Sequence, residues 1–228
     1  MTAAPGILVF DSGLGGLTVF REVAKARPDA RFVYTADDAF FPYGRQDEGK
    51  LTTRVLDVME TLIAAHRPDL VVIACNTAST IVLPALREKF KVPFVGTVPA
   101  IKPACASSTS KLVTVLGTEA TVKREYTRAL IRDYAQGCAV TLVGSPRLAE
   151  LAEAELKGER VSDGDVAAEL APCFFEVDGK QTDTVVLACT HYPLLLPRFG
   201  KLAPWPVNFI DPAPAIARPN STACWYDT

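Results

Sequence analysis

The stretch DLVVIACNT at residues 69–77 is echoed later in the chain by DTVVLACTH at residues 183–191. Each copy runs from an aspartate through a short β-branched apolar segment to Ala-Cys, and then to a polar pair that contains threonine. A continuous apolar run of this length is typical of a strand buried on both faces, as in a parallel sheet. Cys75 and Cys189 are therefore predicted at the carboxyl ends of two equivalent strands, where open α/β sheets bind ligands.

Repetition of the whole context decides how these two cysteines are interpreted. A single buried cysteine usually behaves as a small hydrophobic residue. That structural interpretation is kept for the cysteines whose surroundings share nothing, which are Cys105, Cys138, Cys173 and Cys224. For Cys75 and Cys189, the duplication favours one site with a thiol on each side.

Strand-like and helix-like segments alternate along the chain, which predicts an α/β fold built of βα units around parallel sheets. Proline-rich points near Pro99–Pro103 and Pro204–Pro206 predict two crossings between domains. We therefore expect two pseudo-symmetric domains, each a mostly parallel sheet flanked by helices, with the active site in the cleft between them. Residues 1–97 and 208–228 are assigned to the first domain, and residues 98–207 to the second.

Several elements can be predicted individually. In the first domain, helices are expected over 17–26 and 47–66, the second with a clear apolar face, and a strand over 31–36. In the second, a helix capped at Thr118–Thr121 is expected to run to about Tyr134. A strand over Val207–Ile210 is expected to rejoin the first domain. Residues 218–228, with a proline and no periodicity, are predicted to form a frayed tail.

Composition excludes several classes of function. The net charge of −2 and the absence of a basic run leave no electrostatic footprint for nucleic acid. No apolar run approaches the roughly 20 residues that span a bilayer, and the start of the chain lacks the pattern of a signal peptide. Six dispersed cysteines indicate a reducing cytosol, and with only two histidines no structural metal is expected.

The first predicted strand leads into DSGLGG at residues 11–16, which opens a helix. The glycine spacing is neither that of a dinucleotide fingerprint nor that of a P-loop, and Asp11 would repel a phosphate. An anionic side chain followed by small residues suits an ammonium group, with the helix amino terminus available for a carboxylate. A helix cap and a tight turn are the structural alternative, and this stretch alone leaves both open.

Two thiols on opposite sides of one site suit proton abstraction next to a carboxylate. Inverting a stereocentre requires one thiolate to remove a proton and one thiol to deliver another on the opposite face. Because the ordinary pKa of a thiol is about 8.5, each needs a neighbour that tunes it. Asp11 is expected near one thiol and His191, two residues from Cys189, near the other. The alternative for His191 is a cap on the helix that follows the strand.

These residues resemble the glutamate racemases, cofactor-independent enzymes of the aspartate/glutamate racemase superfamily. The segments that match in order are DSGLGG at 11–16, PYG at 42–44, ACNTA at 74–78 and ACTHYPL at 188–194, with PAIKP at 99–103 and DPA at 211–213 also similar. The resemblance covers about residues 6–217. The opening Asp-Ser-Gly and the Cys-Thr-His separate it from aspartate and hydantoin racemases, which share the fold and the cysteine pair.

The resemblance implies interconversion of L- and D-glutamate without cofactor or metal, with Cys75 and Cys189 as catalytic acid/bases assisted by Asp11 and His191. Cys75 would face the proton of D-glutamate and Cys189 that of L-glutamate. The implied substrate contacts are Asp11, Ser12, Pro42, Tyr43, Gly44, Asn76, Thr77, Thr121, Thr190 and His191. Glu153 aligns more loosely, as support near the second thiol. The implied setting is D-glutamate supply for peptidoglycan in the bacterial cytoplasm, with glutamate as the small-molecule partner and a homodimer left open.

Family members usually continue past Ala217 with a helix on the first domain, whereas this sequence reaches Arg218-Pro219-Asn220 and soon stops. The expectation is a truncated or frame-changed end that leaves every named site residue present. Alternatives to an active glutamate racemase are a glutamate-binding but catalytically weak homologue that lacks this helix, and a racemase of another acidic amino acid. A cysteine hydrolase using Cys189 and His191 would explain neither the second cysteine copy nor Asp11.

Overall fold

The computed structural model describes residues 4–135 and 137–217. The chain divides into two compact units. One comprises Met1–Thr97 with Ala213–Thr228, of which the described parts are 4–97 and 213–217, and the other comprises Val98–Pro212. The tail predicted over 218–228 lies outside the described residues.

The first unit is built on a parallel four-stranded sheet with the strand order β2-β1-β3-β4. Its elements up to Gly96 are β1 (Gly6–Asp11), α1 (Leu17–Ala26), β2 (Arg31–Ala36), α2 (Glu48–His66), β3 (Leu70–Ile73), α3 (Asn76–Ile81), α4 (Leu83–Lys89) and β4 (Phe94–Gly96). Short 3-10 helices at Asp38–Phe40 and Tyr43–Arg45 connect β2 to α2.

Side chains of the central strands alternate between two cores, as the period of a strand requires. Leu8 and Phe10 of β1 pack with residues of α2, α3 and α4, whereas Ile7 and Val9 pack with Val19 and Val23 of α1 and other apolar residues. Both faces of the sheet are therefore covered, which is why β1 and β3 are apolar at every position from Ile7 to Phe10 and from Leu70 to Ile73.

Helix α2 follows its predicted pattern. Leu51, Val55 and Met59 are fully buried on its inner face, and Leu62 and Ile63 pack against the same core. Asp47 caps the helix by accepting a hydrogen bond from Lys50 N at 3.0 Å. The predicted start at 47 therefore coincides with the cap, and the helix ends at His66 as expected.

The second unit contains a second parallel four-stranded sheet with the order β10-β9-β5-β6. Its elements are α5 (Ile101–Ser107), β5 (Leu112–Thr118), α6 (Glu119–Val122), α7 (Glu125–Tyr134), β6 (Ala139–Ser145), α8 (Leu148–Leu156), α9 (Asp163–Leu170), β7 (Glu176–Val177), β8 (Lys180–Gln181), β9 (Thr184–Ala188), α10 (Leu196–Leu202) and β10 (Asn208–Ile210). The chain then forms α11 (Ala213–Ile216), whose Ala213 and Ile216 pack against the α1 face of the first sheet.

The two sheets share one topology. Taken by order of appearance within the sheet, each four-stranded sheet runs second, first, third, fourth strand, and the cysteine follows the third strand. The α/β architecture with parallel sheets is confirmed. The repeat seen between residues 69–77 and 183–191 thus extends to the strand order of each whole sheet.

The predicted place of the final strand is wrong. Asn208–Ile210 does not rejoin the first sheet but pairs in parallel with Thr184–Val186 of β9. Ile210 packs in the core that contains Ile101 and Val113 of the second unit. The prolines at 204 and 206 precede this strand without changing the sheet, and the change of unit follows Pro212.

Two further local predictions differ from the structure. The helix expected from Thr118 to Tyr134 is interrupted, because Arg124 is extended with ψ 139° and separates α6 from α7. Thr127 Oγ1 donates to the carbonyl of Thr121 at 2.8 Å and so satisfies a group that a continuous helix would have bonded. The antiparallel hairpin of β7 and β8 was not predicted, although Asp178-Gly179 provides the two positive φ angles of its turn.

The aspartate that begins each repeat has the same structural role in both units. Asp69 Oδ2 accepts from Gly6 N at 2.7 Å, which ties the start of β3 to the start of β1. Asp183 accepts from Ser108 Oγ, Thr109 N and Ser110 N, each at 2.7 Å, just before β5. Burial alone would raise the pKa of Asp183, but these hydrogen bonds and one from Thr184 hold that pKa below its ordinary value.

Asp183→Ala should therefore lower the free energy of unfolding by about 1–3 kcal/mol, because backbone amides before β5 lose a charged acceptor. The folded-state pKa is depressed, so this stabilisation is present above the ordinary aspartate pKa of about 3.9 and is lost as the pH falls through the lower folded value. Urea unfolding at pH 7 and near pH 3 measures both effects. Asp57→Ala, on the exposed side of α2, is the control and should change stability by less than about 0.5 kcal/mol. An equal loss in the two variants would contradict this role.

Candidate active site

Cys75 lies between β3 and α3, where the sheet ends and a helix begins. Its side chain is the N-cap of α3, with Sγ 3.5 Å from Ala78 N. The thiol also donates to Ser12 Oγ at 3.7 Å, and only 5% of the residue is exposed. The end of β1 and the end of β3 are neighbours in the sheet, so the fold itself brings Ser12 to Cys75. We call Asp11, Ser12, Tyr43, Cys75, Asn76 and Thr77 the first thiol cluster.

Asp11 organises the glycine-rich turn after β1. Its buried Oδ2 accepts from Gly13 N at 3.2 Å and from Gly16 N at 2.9 Å. A Cβ at Gly16 would lie 2.4 Å from Asp11 Cβ and 2.8 Å from the Tyr34 hydroxyl, so only glycine fits there. The tight turn of the structural alternative is therefore present, whereas the helix cap is not, because the N-cap of α1 is Gly16 and no side chain caps that helix. The expected role of Asp11 towards a substrate stays a proposal.

Tyr43 enters the first thiol cluster from the loop after β2. Its hydroxyl donates to Asp37 Oδ2 at 2.9 Å, and Arg54 of α2 binds the same carboxylate through Nε at 3.0 Å and Nη2 at 2.6 Å. Burial, and then the charge of Asp37, raise the pKa of Tyr43 far above its ordinary value, with smaller contributions from Cys75 and Asp11. Tyr43 therefore keeps its proton and donates it to Asp37. Pro42 and Gly44 flank it and are half-buried.

Asn76 is the polar residue of this cluster that most needs a ligand. It is 2% exposed, and neither its Nδ2 nor its Oδ1 has a hydrogen-bond partner among the described residues. A buried amide without partners costs free energy, which native proteins accept mainly where something else binds. Thr77, the next residue, is buried beside it at 3% exposure.

In the second unit, Cys189 follows β9 at the position equivalent to that of Cys75. Its Sγ lies 3.9 Å from His191 Nδ1, and Thr190 Oγ1 lies 3.3 Å from the same nitrogen. The other ring nitrogen, Nε2, lies 2.6 Å from Oε2 of Glu153 on α8. Cys189, Thr190, His191 and Glu153 are all buried. With Thr121, we call them the second thiol cluster.

The predicted proximity of His191 to Cys189 is confirmed, and its alternative as a helix cap is not, because its side chain makes no capping hydrogen bond to the 3-10 helix that follows. Because Nε2 faces a carboxylate, the ring proton belongs on Nε2 and Nδ1 faces the thiol. His191 is thus placed to exchange a proton with Cys189. Glu153, which was expected as support near the second thiol, contacts His191 Nε2.

Thr121 lies in α6, which begins directly after β5, the strand next to β9. Its Oγ1 is 3.0 Å from that of Thr118, whose hydroxyl also accepts from Thr121 N at 3.2 Å. Thr121 is fully buried. The adjacent ends of β5 and β9 thus supply hydroxyl groups and a thiol from the same edge of the sheet.

Residues beyond the predicted set also support these clusters. Asp37, Arg54 and Lys157 were not predicted, although Asp37 directly follows β2 at the edge that binds ligands and could have been found by that position. Arg54 lies on α2 and Lys157 is the C-cap of α8, and the charged residues of both helices resemble an ordinary solvated face. Neither has a sequence signal of its own.

The described cysteines outside the two clusters fit their structural interpretation. Burial raises the pKa of Cys173 to about 12. Burial, and then a hydrogen bond with Cys138, raise the pKa of Cys105 to about 11. Such thiols are protonated at neutral pH and are poor nucleophiles. Cys224 lies outside the described residues.

The described residues form neither a metal-binding cluster nor a membrane-spanning helix. Among residues 4–135 and 137–217, no group of three or more histidine, cysteine, aspartate and glutamate side chains is placed to hold a metal ion. None of the helices formed by that part of the chain combines the length and the apolar character needed to cross a membrane.

Comparisons with known proteins place the chain in a family. Residues 13–219 match the Asp/Glu/Hydantoin racemase family. The glutamate racemase of Brucella anthropi is 58% identical over 213 residues, which cover 93% of this chain and 77% of that protein. The Escherichia coli glutamate racemase, solved with L-glutamate and the activator UDP-MurNAc-ala, has a TM-score of 0.87 at 43% identity, over 94% of this chain and 80% of that one. The Francisella tularensis glutamate racemase, solved with D-glutamate, has a TM-score of 0.74 at 25% identity, over 95% and 79%. The chain therefore belongs to the Asp/Glu/Hydantoin racemase family, and within it to the glutamate racemases.

Proposed function

We propose that this chain interconverts L-glutamate and D-glutamate at Cα without a cofactor, using Cys75 and Cys189 as a paired acid and base. The observation that carries the proposal is the duplicated strand-end thiol, with Ser12 Oγ at 3.7 Å from one sulfur and His191 Nδ1 at 3.9 Å from the other. The substrate is inferred from relatives, since the proteins from Brucella anthropi and Escherichia coli are glutamate racemases.

In the proposed reaction, His191 Nδ1 accepts the proton of Cys189, while Nε2 remains bonded to Glu153. The Cys189 thiolate then removes the Cα proton of L-glutamate, and the Cys75 thiol protonates the resulting carbanion on its other face. The reverse reaction exchanges the two roles. The proposal requires both thiols to reach the same Cα from opposite faces, because only then does each transfer invert the stereocentre.

The proposed contacts with the amino acid come from both thiol clusters. Asn76 is the strongest of them, because its buried amide has no partner among the described residues. The other proposed contacts are Asp11, Ser12, Pro42, Tyr43, Gly44, Thr77, Thr121, Thr190 and His191. Asp11 accepts hydrogen bonds from two turn amides, so its carboxylate is held rigidly and would bind an ammonium group with little loss of conformational entropy.

The proposed setting is the bacterial cytoplasm, where D-glutamate would be supplied to peptidoglycan synthesis. A homodimer is the assembly proposed, and sedimentation of the purified protein tests it.

A second candidate is favoured by one observation. Cys189 contacts His191, which in turn contacts Glu153. A cysteine hydrolase uses the same chain of contacts between a nucleophile, a base and a carboxylate that orients the base. The candidates differ in their need for Cys75, which a hydrolase centred on Cys189 would not use. Cys75→Ala should therefore spare a hydrolase and stop a racemase.

The experiment that tests the proposed function follows the loss of optical activity of L-glutamate by circular dichroism, with L-aspartate as the comparison. We expect kcat/KM for glutamate to exceed that for aspartate by about 100-fold or more, because a shorter chain leaves buried polar groups unpaired at about 1–3 kcal/mol each. A Cys75→Ala/Cys189→Ala double variant is the control for background loss of optical activity. Comparable turnover of both amino acids would reject the assignment, and calorimetric binding of glutamate without turnover would support the catalytically weak homologue.

A further inference from the structure

Each thiol cluster contains a ring side chain that is anchored on a buried carboxylate. In the first unit, the Tyr43 hydroxyl donates to Asp37 at 2.9 Å. In the second, His191 Nε2 lies 2.6 Å from Glu153. The side chains of Asp37 and Glu153 are each 4% exposed. Both carboxylates follow the edge strand next to the first strand of their unit, at the end of β2 and on the helix after β6.

Each buried carboxylate also meets a cation that reaches in from the surface. Arg54 binds Asp37 through two nitrogens, at 3.0 and 2.6 Å, and Lys157 Nζ lies 3.4 Å from Glu153 Oε1. The Arg54 and Lys157 side chains are each 42% exposed. Hydrogen bonding to the Asp37 carboxylate raises the pKa of Arg54. The same sequence of surface cation, buried carboxylate and ring is thus present in both units.

The neighbouring cation determines whether the buried carboxylate is ionised, and therefore whether it can only accept hydrogen bonds. A carboxylate taken out of water is stable as an anion mainly when an opposite charge lies beside it. As an anion it can only accept hydrogen bonds, whereas the protonated acid can also donate one. Tyr43 must then use its single proton towards Asp37, and His191 must carry a proton on Nε2. That leaves His191 Nδ1 as the ring atom that exchanges a proton with Cys189.

We infer that Arg54 and Lys157 are positioning residues of the racemase site, which act through Asp37 and Glu153 to fix the hydrogen-bond direction of Tyr43 and His191. The kinetic consequence rests on the proposed racemase function. The proton position on His191 does not, and it can be measured in a protein of any activity.

The first test uses nitrogen-15 NMR to determine which ring nitrogen of His191 carries the proton. The sequence contains only two histidines, so a His66→Gln variant assigns the spectrum of ¹⁵N-histidine-labelled protein. We expect His191 to be protonated at Nε2 in the wild type, to lose part of that population in Lys157→Met, and to recover it in Lys157→Arg. Lys123→Met is the matched control, because Lys123 pairs with Glu119 at 3.0 Å in an exposed i,i+4 pair. A His191 spectrum unchanged in Lys157→Met would overturn the inference for Lys157.

The second test separates binding from turnover. Arg54→Met should raise KM for glutamate roughly tenfold with a smaller change in kcat, because Tyr43 is a proposed substrate contact. Lys157→Met should lower kcat roughly tenfold with a smaller change in KM, because His191 exchanges a proton with Cys189. Arg54→Lys and Lys157→Arg should restore most of each loss. Arg132→Met, which removes an exposed pair with Glu125 at 2.7 Å, should change neither constant.

Values of kcat and KM within twofold of wild type in Arg54→Met would overturn the inference for Arg54. A second outcome would also overturn the inference for Arg54. If Arg54→Met changed kcat and KM equally, lowered the melting temperature and was not rescued by Arg54→Lys, the role of Arg54 would be structural alone. If the wild type does not racemise glutamate, the proposed function fails. The Arg54 comparison is then made on the dissociation constant for L-glutamate, and the His191 spectrum still decides the inference for Lys157.

Discussion

Replacing either Cys75 or Cys189 by alanine should suppress racemisation of glutamate in both directions. Each direction needs one thiol as the base and the other as the acid, so neither direction survives the loss of one. A general acid or base contributes about 10²–10⁴-fold, and each single variant should lose at least that much kcat/KM. The double variant should be little worse than either single one, because the two thiols act as a unit.

Cys138→Ala is the matched control for these variants. Cys138 is a half-buried thiol that belongs to neither thiol cluster, and its removal should leave racemisation near the wild-type rate. Circular dichroism started from L-glutamate and from D-glutamate measures both directions for all four variants. Near-normal turnover in Cys75→Ala or in Cys189→Ala would contradict the two-thiol mechanism, although it would not change the family to which the chain belongs.

The second large effect is expected at Asn76, where activity and stability should change in opposite directions. Asn76→Leu keeps the approximate shape and removes two buried polar atoms that have no partner among the described residues. The free energy of unfolding should therefore rise by about 1–3 kcal/mol. If the amide binds glutamate, kcat/KM should fall by about 100-fold or more, because the substrate then meets an apolar group.

Asn208→Leu is the control, since Asn208 is exposed at the start of β10. It should change neither the racemisation rate nor the free energy of unfolding by a comparable amount. Urea unfolding and the racemisation assay on the same preparations give both numbers. A destabilised Asn76→Leu would mean that the amide is satisfied within the protein, and an active one would exclude it from substrate binding.

Much of each sheet could be predicted because its strands carry their own signal. The apolar runs ending at Cys75 and Cys189 form the third strand of each sheet, and α1 and β2 have the predicted bounds. These elements are specified by burial on both faces or by an amphipathic period, both of which are visible locally. The Asp178-Gly179 hairpin also had a local signal, because both of these residues accept positive φ. The hairpin was not predicted because the chain was interpreted as a regular alternation of strands and helices.

Other features depend on contacts that a local pattern does not contain. The segment Asn208–Ile210 has the composition of a strand for either sheet, and its partner is decided by packing beside β9. The break at Arg124 is stabilised by Thr127, which satisfies the carbonyl of Thr121 from the next helix. Neither the partner of a strand nor a side chain that replaces a helical hydrogen bond can be read from periodicity.

The site residues also fall into those with a local sequence signal and those without one. Cys75, Cys189, Asp11 and His191 could be identified from two repeats and one glycine-rich turn, because the chemistry and the spacing coincide there. Asp37 had only its position directly after β2 as a signal, and Arg54 had none, since an arginine on an exposed helix is common. Their relation to Tyr43 exists only in three dimensions, through distances of 2.6–3.0 Å.

The central claim is that two thiols act on opposite faces of Cα, and isotope exchange tests it most directly. The reaction is run in deuterated water from L-glutamate and stopped while little product has formed. The thiol that protonates the carbanion carries a solvent deuteron, so the early D-glutamate should be labelled at Cα while the remaining L-glutamate stays almost unlabelled. Deuterium entering the remaining L-glutamate as fast as product forms, or early D-glutamate that retains the original proton, would show that a single base serves both faces and would contradict the mechanism.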